Sequence, residues 1–298
     1  MFSMTPFQQW PLSAKVRRLV KRDDLTHPHV SGNKWRKLKY NLEAAKGAGK
    51  TALLTFGGAY SNHLAATAAA GQLMGWKTLG LVRGEPYSPL NPTLSFAAEC
   101  GMELRYLERS IYRERCKGTG LEAFEKEYWI LPEGGSNLPA LKGCAELAEE
   151  CSLQLGAWPD FICVAAGTGA TAAGLICGSP DTTRVLAFPV LKGGFMQKEI
   201  SNFLKMAGQE AKNNWQVAGD YHFGGYAKFN TELTGFINHT KAVHDIPLDP
   251  VYTGKLFFGV ADLLKKGYFP PGSTVLLIHT GGLQGIQGFN QRFGNPIR

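Results

Sequence analysis

Ser31-Gly32-Asn33-Lys34-Trp35-Arg36-Lys37-Leu38 is the most informative stretch of the chain, because a small, flexible turn there delivers a lysine to the start of an amphipathic helix. The apolar positions that predict this helix recur three and four residues apart: Trp35, Leu38, Leu42 and Ala45. The same spacing puts Lys34 and Lys37 one turn apart on one helical surface. One amine could form a Schiff base with an aldehyde while the other neutralises a phosphate. The alternative, for a Lys-x-x-Lys pair taken alone, is two solvated lysines.

Length and composition predict a globular protein with a large core. The 298 residues, of which 44% are hydrophobic, suit two modest domains or one large one. The six cysteines form neither a Cys-x-x-Cys pair nor a repeated spacing, so neither a zinc site nor a secreted disulfide framework is indicated. His27 and His29 lack a carboxylate or cysteine at ligand spacing, so we expect no metal.

The N-terminal residues and the hydropathy pattern bear on location. Residues 1–12 include Pro6 and Pro11 and lack the uninterrupted apolar core of a signal peptide. No apolar run reaches the length of a membrane-spanning helix. We therefore expect a cytoplasmic protein without a membrane partner.

The net charge of +8 raises the question of nucleic-acid binding. The densest basic run, residues 15–22, interleaves Val16, Leu19 and Val20 with its charges, which is typical of a half-buried strand. No recognised nucleic-acid module follows this run, so we expect no nucleic-acid partner. Positive charge also suits a pocket for an anionic cofactor and a carboxylate substrate.

Short apolar runs alternate with helical patterns, which predicts an α/β fold with mainly parallel sheets. Two of the expected helices bear on the site. One follows Asn62 and ends near Gly75, and the other spans residues 138–155. The interpretation is a larger domain of residues 1–45 and 132–298 with a smaller α/β domain, 46–131, inserted into it. Ligands of open parallel sheets bind beyond the carboxyl ends of the strands. The expected strands are residues 51–56, 77–82, 102–107, 129–131, 160–165, 184–189, 215–218 and 274–279.

Residues 56–63, Phe-Gly-Gly-Ala-Tyr-Ser-Asn-His, follow the first of these strands and precede an alanine-rich helix. Paired glycines let the backbone approach a flat ligand. Ser61 and Asn62 then present a hydroxyl and an amide at a helix N-terminus. The alternative for Ser61 alone is a plain helix cap.

Residues 165–171, Ala-Ala-Gly-Thr-Gly-Ala-Thr, form a second strand-to-helix turn. Backbone N–H groups in such a turn point at an anion, and two threonine hydroxyls add donors, which predicts a phosphate cup. The turn lacks the Gly-Lys-Ser/Thr ending of a P-loop and the glycine spacing of the dinucleotide fingerprint. Both features argue against a nucleoside triphosphate and against NAD. As an isolated signal this turn is also compatible with ordinary strand-to-helix geometry.

Two more segments, Asp249-Pro250-Val251-Tyr252-Thr253-Gly254-Lys255 and His279-Thr280-Gly281-Gly282, offer a phenol and two neutral hydroxyls. Each alone could be a structural turn. Taken together and in this order, the motifs resemble those of the pyridoxal-phosphate family of D-cysteine desulfhydrases and 1-aminocyclopropane-1-carboxylate (ACC) deaminases. The resemblance spans nearly the whole chain, and it also includes residues 21–24, Lys-Arg-Asp-Asp.

The resemblance implies a tryptophan-synthase-β-like fold of two three-layer α/β/α domains, with the cofactor between them, in a homodimer. By motif match, Lys34 would hold pyridoxal phosphate covalently and Asn62 would bind the ring hydroxyl oxygen. Lys37 and the turn Gly167, Thr168, Gly169, Ala170 and Thr171 would bind the phosphate. The substrate would contact Ser61, Asn62 and His63.

The resemblance also implies four catalytic residues: Lys34, Ser61, Tyr252 and, less closely matched, Tyr226. ACC deaminases of this family carry Glu at the position of Thr253, whereas the D-cysteine desulfhydrases carry Thr. A neutral hydroxyl at Thr253, and again at Thr280, does not keep a pyridine nitrogen protonated as a carboxylate does.

Three functions follow from the resemblance. The favoured one is β-elimination from D-cysteine, or a related β-substituted amino acid, to pyruvate, ammonia and sulfide. ACC deamination to 2-oxobutanoate and ammonia is the alternative, and noncatalytic binding of pyridoxal phosphate is the third. The chain departs from the family pattern by being shorter near residues 108–128 and 208–221, and by having Gly224, Gly225 and Ala227 on the substrate side.

Overall fold

Two sheets organise the chain in a computed structural model that describes residues 4–11, 15–86 and 88–298. Their strands, in chain order, are β1 Phe7–Gln9, β2 Arg17–Lys21, β3 Ala52–Gly57, β4 Lys77–Arg83, β5 Met102–Leu107, β6 Trp129–Ile130, β7 Phe161–Ala166, β8 Arg184–Pro189, β9 Trp215–Val217 and β10 Thr274–Ile278. The first sheet has the order β1-β2-β10-β7-β8-β9, and the second has the order β5-β4-β3-β6. Every pairing is parallel except that of β1 with β2, at the edge of the first sheet.

Helices connect the strands, as parallel pairing requires. They are α1 Asn33–Gly47, α2 Asn62–Met74, α3 Pro92–Glu99, α4 Arg109–Cys116, α5 Glu122–Glu125, α6 Leu138–Leu155, α7 Ala170–Gly178, α8 Phe195–Met206, α9 Thr231–His244, α10 Thr253–Lys265 and α11 Gly285–Phe293. Short 3-10 turns occupy Asp23–Leu25, Glu133–Gly135 and Gly219–Tyr221.

Both faces of each sheet are covered. On one face of the first sheet the strands pack against α9 and α10 through Leu186, Ile237 and Phe257, and on the other against α6, α7 and α8. The second sheet likewise packs against α1, α2 and α3 and, through Tyr112, against α4. The α/β class expected from the alternating pattern is therefore confirmed. The division into domains at residues 46 and 131 stays a prediction.

All eight expected strands are confirmed, each to within one residue at either end, and so are both helices. Gly75 ends α2 in the left-handed conformation that glycine adopts without strain. The basic run also forms a strand, β2, but four of its five residues are buried rather than half of them. Burial of Lys21 is possible because its ammonium donates to Glu150 Oε1, at 2.6 Å, and to the carbonyl of Thr5.

Among the described residues, no helix combines the length and apolar character that a membrane crossing requires.

Candidate active site

A cavity of about 790 Å³ opens where the carboxyl ends of the two sheets meet. Its wall comes from the first turn of α1 and from the turns that follow β3, β7 and β10. The three turns are segments that the strand-end rule selected from the sequence, and the first turn of α1 was selected by its lysine pair. Side chains more than 200 residues apart in the chain, Lys34 and Thr280 among them, face the same space.

Lys34 lines this cavity from the second residue of α1. Burial lowers the pKa of its amine to about 7, and the positive charge of Lys37 contributes to the same shift. A buried amine next to a second cation is partly unprotonated at neutral pH, which is the state that attacks an aldehyde. The solvated-lysine alternative therefore does not describe Lys34.

Lys37 lies one turn further on and only 2% of it is exposed. Its Nζ donates to the Gly134 carbonyl at 3.0 Å and to Ser136 Oγ at 3.3 Å, and it lies 3.5 Å from Thr168 Oγ1. Burial lowers its pKa to about 8. The turn of Gly134 to Ser136 was not selected from the sequence, although it follows β6 and so falls at a strand end.

The turn after β7 leads into α7, which begins at Ala170. Gly169 caps this helix with a left-handed backbone, φ 88°, and Gly167, Thr168, Gly169 and Thr171 line the cavity around the helix start, where free N–H groups favour an anion. Thr168 Oγ1 lies 2.7 Å from Ser136 Oγ, and Thr171 Oγ1 accepts a hydrogen bond from Asn33. Ala170 is fully buried and does not line the cavity. The whole arrangement suits a phosphate.

Ser61, Asn62 and His63 line the cavity from the start of α2. Ser61 Oγ accepts from the Leu64 N–H at 3.3 Å, so the cap expected from the sequence exists in a residue that also lines the cavity. Within the described residues, Asn62 Oδ1 and both ring nitrogens of His63 are buried without a hydrogen-bond partner. Burial, followed by the charges of Lys34 and Lys37, lowers the pKa of His63 well below its usual value. His63 is therefore a neutral imidazole.

Tyr252 and Tyr226 meet edge to face, with ring centroids 6.2 Å apart, and both line the cavity. Burial raises the pKa of Tyr252 well above its usual value and also raises that of Tyr226. Tyr252 also packs against the phosphate turn, because a Cβ added at Gly167 would lie 3.2 Å from its ring. Both phenols are therefore protonated at neutral pH.

Thr253 and Thr280 are placed differently. Thr280 lines the cavity, whereas Thr253 is fully buried and does not. The Thr253 hydroxyl donates a hydrogen bond to the Asp249 carboxylate. The same carboxylate also accepts from the backbone N–H groups of the following turn. Of these two threonines, Thr280 lines the cavity and Thr253 does not.

The wall also contains charged residues that the sequence analysis did not single out. Arg83 is the last residue of β4 and Glu133 comes three residues after β6, so attention to every strand end, rather than to glycine-rich turns, would have found them. Others come from helices and carry no sequence signal of their own: Arg109, Glu199 and Arg292.

A family model described as "Pyridoxal-phosphate dependent enzyme" matches residues 2–281. The chain belongs to this family. A Pyrococcus abyssi protein named "Putative 1-aminocyclopropane-1-carboxylate deaminase" is 34% identical over 95% of this chain and 90% of its own length. The "Bifunctional D-cysteine desulfhydrase/1-aminocyclopropane-1-carboxylate deaminase, mitochondrial" of Arabidopsis thaliana is 30% identical over 95% of this chain and 77% of its own. A crystal structure of an "ACC deaminase homologue" superposes with a TM-score of 0.84 at 29% identity, covering 97% of this chain and 93% of that one.

The cavity of this pyridoxal-phosphate dependent enzyme fits the cofactor that defines the family. Its aldehyde needs an unprotonated amine, which Lys34 would supply. Its phosphate needs a cation and N–H donors, which Lys37 and the start of α7 would supply. Its ring carries polar atoms, and the unpartnered amide oxygen of Asn62 would be available to bind one of them. When bound, pyridoxal phosphate withdraws electrons from the Cα of an attached amino acid and so acidifies the Cα–H bond.

Proposed function

We propose that this enzyme is a lyase that removes the β-substituent of D-cysteine, or of a related β-substituted amino acid. The products are pyruvate, ammonia and, from D-cysteine, sulfide. The observation that carries this choice is that Thr280 lines the wall after β10, where no residue with a carboxylate lines the cavity. A neutral partner at a pyridine nitrogen favours prompt loss of a β leaving group over a long-lived carbanion. The D-cysteine desulfhydrase activity in the name of the Arabidopsis relative supports the same reaction.

In this proposal Lys34 is both the anchor of the cofactor and the base. Once a substrate amine has displaced it, the Lys34 amine takes the Cα proton, for which a pKa near 7 is well matched. Lys37 and the turn from Gly167 to Thr171 hold the phosphate, and Asn62 orients the ring.

The substrate side of the cavity supplies the other groups. Ser61 and the N–H groups at the start of α2 bind the substrate carboxylate, because helix N-termini favour anions. The neutral imidazole of His63 packs behind them. Tyr252, protonated and buried, is positioned to donate a proton to the departing sulfur, with Tyr226 beside it.

ACC deamination is the second candidate, because the Pyrococcus and Arabidopsis relatives carry that activity in their names. The experiment is to supply the cofactor-loaded protein with D-cysteine, L-cysteine and ACC. Sulfide with pyruvate from D-cysteine is the expected result, and 2-oxobutanoate from ACC would select the alternative. Bound cofactor without any turnover would indicate a noncatalytic binding protein. The Lys34→Ala protein is the negative control in every arm.

We also infer a cytoplasmic homodimer. The family resemblance supports the dimer, and six free cysteines support a reducing compartment. Light scattering of the purified protein tests the first inference, and a monomer would contradict it. Fractionation of the source cells tests the second.

A further inference from the structure

The charged wall of the cavity is unbalanced in favour of positive charge. Two lysines and three arginines line it, against two glutamates: Lys34, Lys37, Arg83, Arg109, Arg292, Glu133 and Glu199. The lysines belong to the cofactor end in the function proposed above. The function proposed above assigns no role to the arginines, so their charge is available to another ligand.

Arg83 is the best placed of the three arginines. It ends β4, the neighbour of β3 in the second sheet, and its Nη2 lies 3.5 Å from where a Cβ on Gly58 would be. The Ser61 N–H donates to the Gly58 carbonyl at 2.9 Å, so Arg83 borders the same turn that presents Ser61. A group extending from a substrate held at Ser61 would therefore meet this guanidinium.

The Arg83 guanidinium is uncommitted. Among the described residues it makes no hydrogen bond and no ion pair. Its Cζ lies 5.7 Å from the centroid of the Tyr112 ring, which is a cation–π contact. The carboxylate that could neutralise it, Glu133, accepts instead from the Tyr112 hydroxyl at 2.8 Å. Tyr112 thus donates its hydroxyl hydrogen bond to Glu133 and packs its ring against the Arg83 guanidinium.

Arg83 also acts across the cavity. Burial is the main reason that the pKa of Tyr226 is raised, and among the smaller contributions the charge of Arg83 lowers it while that of Glu133 raises it. Tyr226 and Arg83 therefore line the same cavity within range of each other's charge.

We propose that Arg83 selects substrates whose β-substituent ends in an anionic group, such as a carboxylate. This rests on the proposed β-elimination. For S-carboxymethylcysteine, the Cα proton goes to the enzyme's base and the Cβ–S bond breaks, with the electron pair leaving on sulfur. The sum is S-carboxymethylcysteine plus water giving pyruvate, ammonia and thioglycolate. A guanidinium matches the planar carboxylate in a way that a point charge does not.

The test compares S-carboxymethyl-D-cysteine with its neutral amide, S-carbamoylmethyl-D-cysteine, on the holoenzyme. The two differ only in the terminal charge. We expect kcat/KM for the acid to exceed that for the amide by about tenfold, the size of one charge-assisted hydrogen bond. Arg83→Gln should bring the acid-to-amide ratio of kcat/KM close to one. Glu133→Gln should raise this ratio above the wild-type value, because a negative charge that repels the acid is removed.

Controls separate this proposal from the one on which it rests. Arg105→Gln removes an arginine from the next strand, one already paired with Glu103, and should leave the ratio unchanged. β-Chloro-D-alanine has no anionic end, so Arg83→Gln should slow its elimination less than it slows elimination from the acid. Turnover of β-chloro-D-alanine with an acid-to-amide ratio near one in the wild type would overturn the role of Arg83 alone. Failure to eliminate from any of these substrates would overturn both proposals.

Discussion

The Thr253 hydroxyl donates a hydrogen bond to Asp249 Oδ1 over 2.8 Å and accepts one from the Asp249 N–H over 2.9 Å. Asp249 is only 2% exposed, and burial raises its pKa even though the N–H groups of Val251, Tyr252 and Thr253 oppose the shift. The pair closes the turn that presents Tyr252 to the cavity. Thr253 therefore acts on the site by fixing this turn.

The first prediction concerns that closure. Thr253→Val keeps the shape of the side chain but leaves a buried N–H and a buried carboxylate oxygen each short of a partner. We expect the free energy of unfolding to fall by about 2 kcal/mol. Thr253→Ser keeps both hydrogen bonds and should lose less. Urea unfolding of the two variants measures the difference, and equal losses would show that the hydroxyl is not what holds the turn.

The second prediction concerns the protonation of Lys34. Capture of pyridoxal phosphate requires the unprotonated amine, and burial lowers the pKa of Lys34 to about 7. The capture rate of the apoprotein should therefore rise through about pH 7 and level off above it, whereas the rate for a solvated lysine would keep rising towards pH 10. Rapid mixing followed by borohydride trapping measures this profile.

Lys37→Met tests the electrostatic part of the same shift. Removing the neighbouring positive charge raises the pKa of Lys34, so the midpoint of the profile should move to higher pH even if the cofactor binds less tightly. Lys39→Met is the matched control, because Lys39 lies on the same helix but pairs with Glu146. A midpoint that moves equally in both variants, or in neither, contradicts the assignment.

The third prediction separates the two uses of Ser61, as a helix cap and as a substrate contact. Ser61→Ala should cost about 1 kcal/mol of unfolding free energy, because the Leu64 N–H loses its acceptor. Ser61→Gly should cost only a few tenths of a kcal/mol, since glycine is tolerated at this position. Both variants lack the hydroxyl, so both should lose D-cysteine turnover to the same degree. If turnover followed stability instead, Ser61 would be only a cap.

Local patterns in the sequence were sufficient for much of the fold. The expected strands and helices are those whose apolar residues repeat at a regular period, and the turns that line the cavity are those at strand ends. Edge strand β1 was not expected, because its three residues are too few to show a period and its pairing with β2 decides its structure. Nor could the sequence reveal that Thr280 lines the cavity whereas Thr253 does not.

The remaining site residues depend on contacts between distant parts of the chain. Lys37 meets the Gly134 carbonyl across 97 positions, and nothing in the local sequence of either residue indicates the other. Asp23 and Glu150 bind Arg36 from two other elements, both at 2.7 Å, and so fix the first turn of α1. Such partners depend on tertiary packing, which periodicity and spacing do not encode.

The fourth prediction concerns the packing that holds α1 in place. A Cβ added at Gly143 of α6 would lie 1.9 Å from the Arg36 carbonyl oxygen of α1, so these helices touch through backbone atoms. Gly143→Ala must push α6 away, which we expect to cost about 1–3 kcal/mol and to weaken cofactor binding, because Lys34 and Lys37 belong to α1. Gly47→Ala, at the exposed end of α1 with nothing within 4 Å, should be neutral or slightly stabilising. Urea unfolding and cofactor titration of both variants test this; a Gly143→Ala protein as stable as Gly47→Ala would mean that the helices tolerate a wider separation.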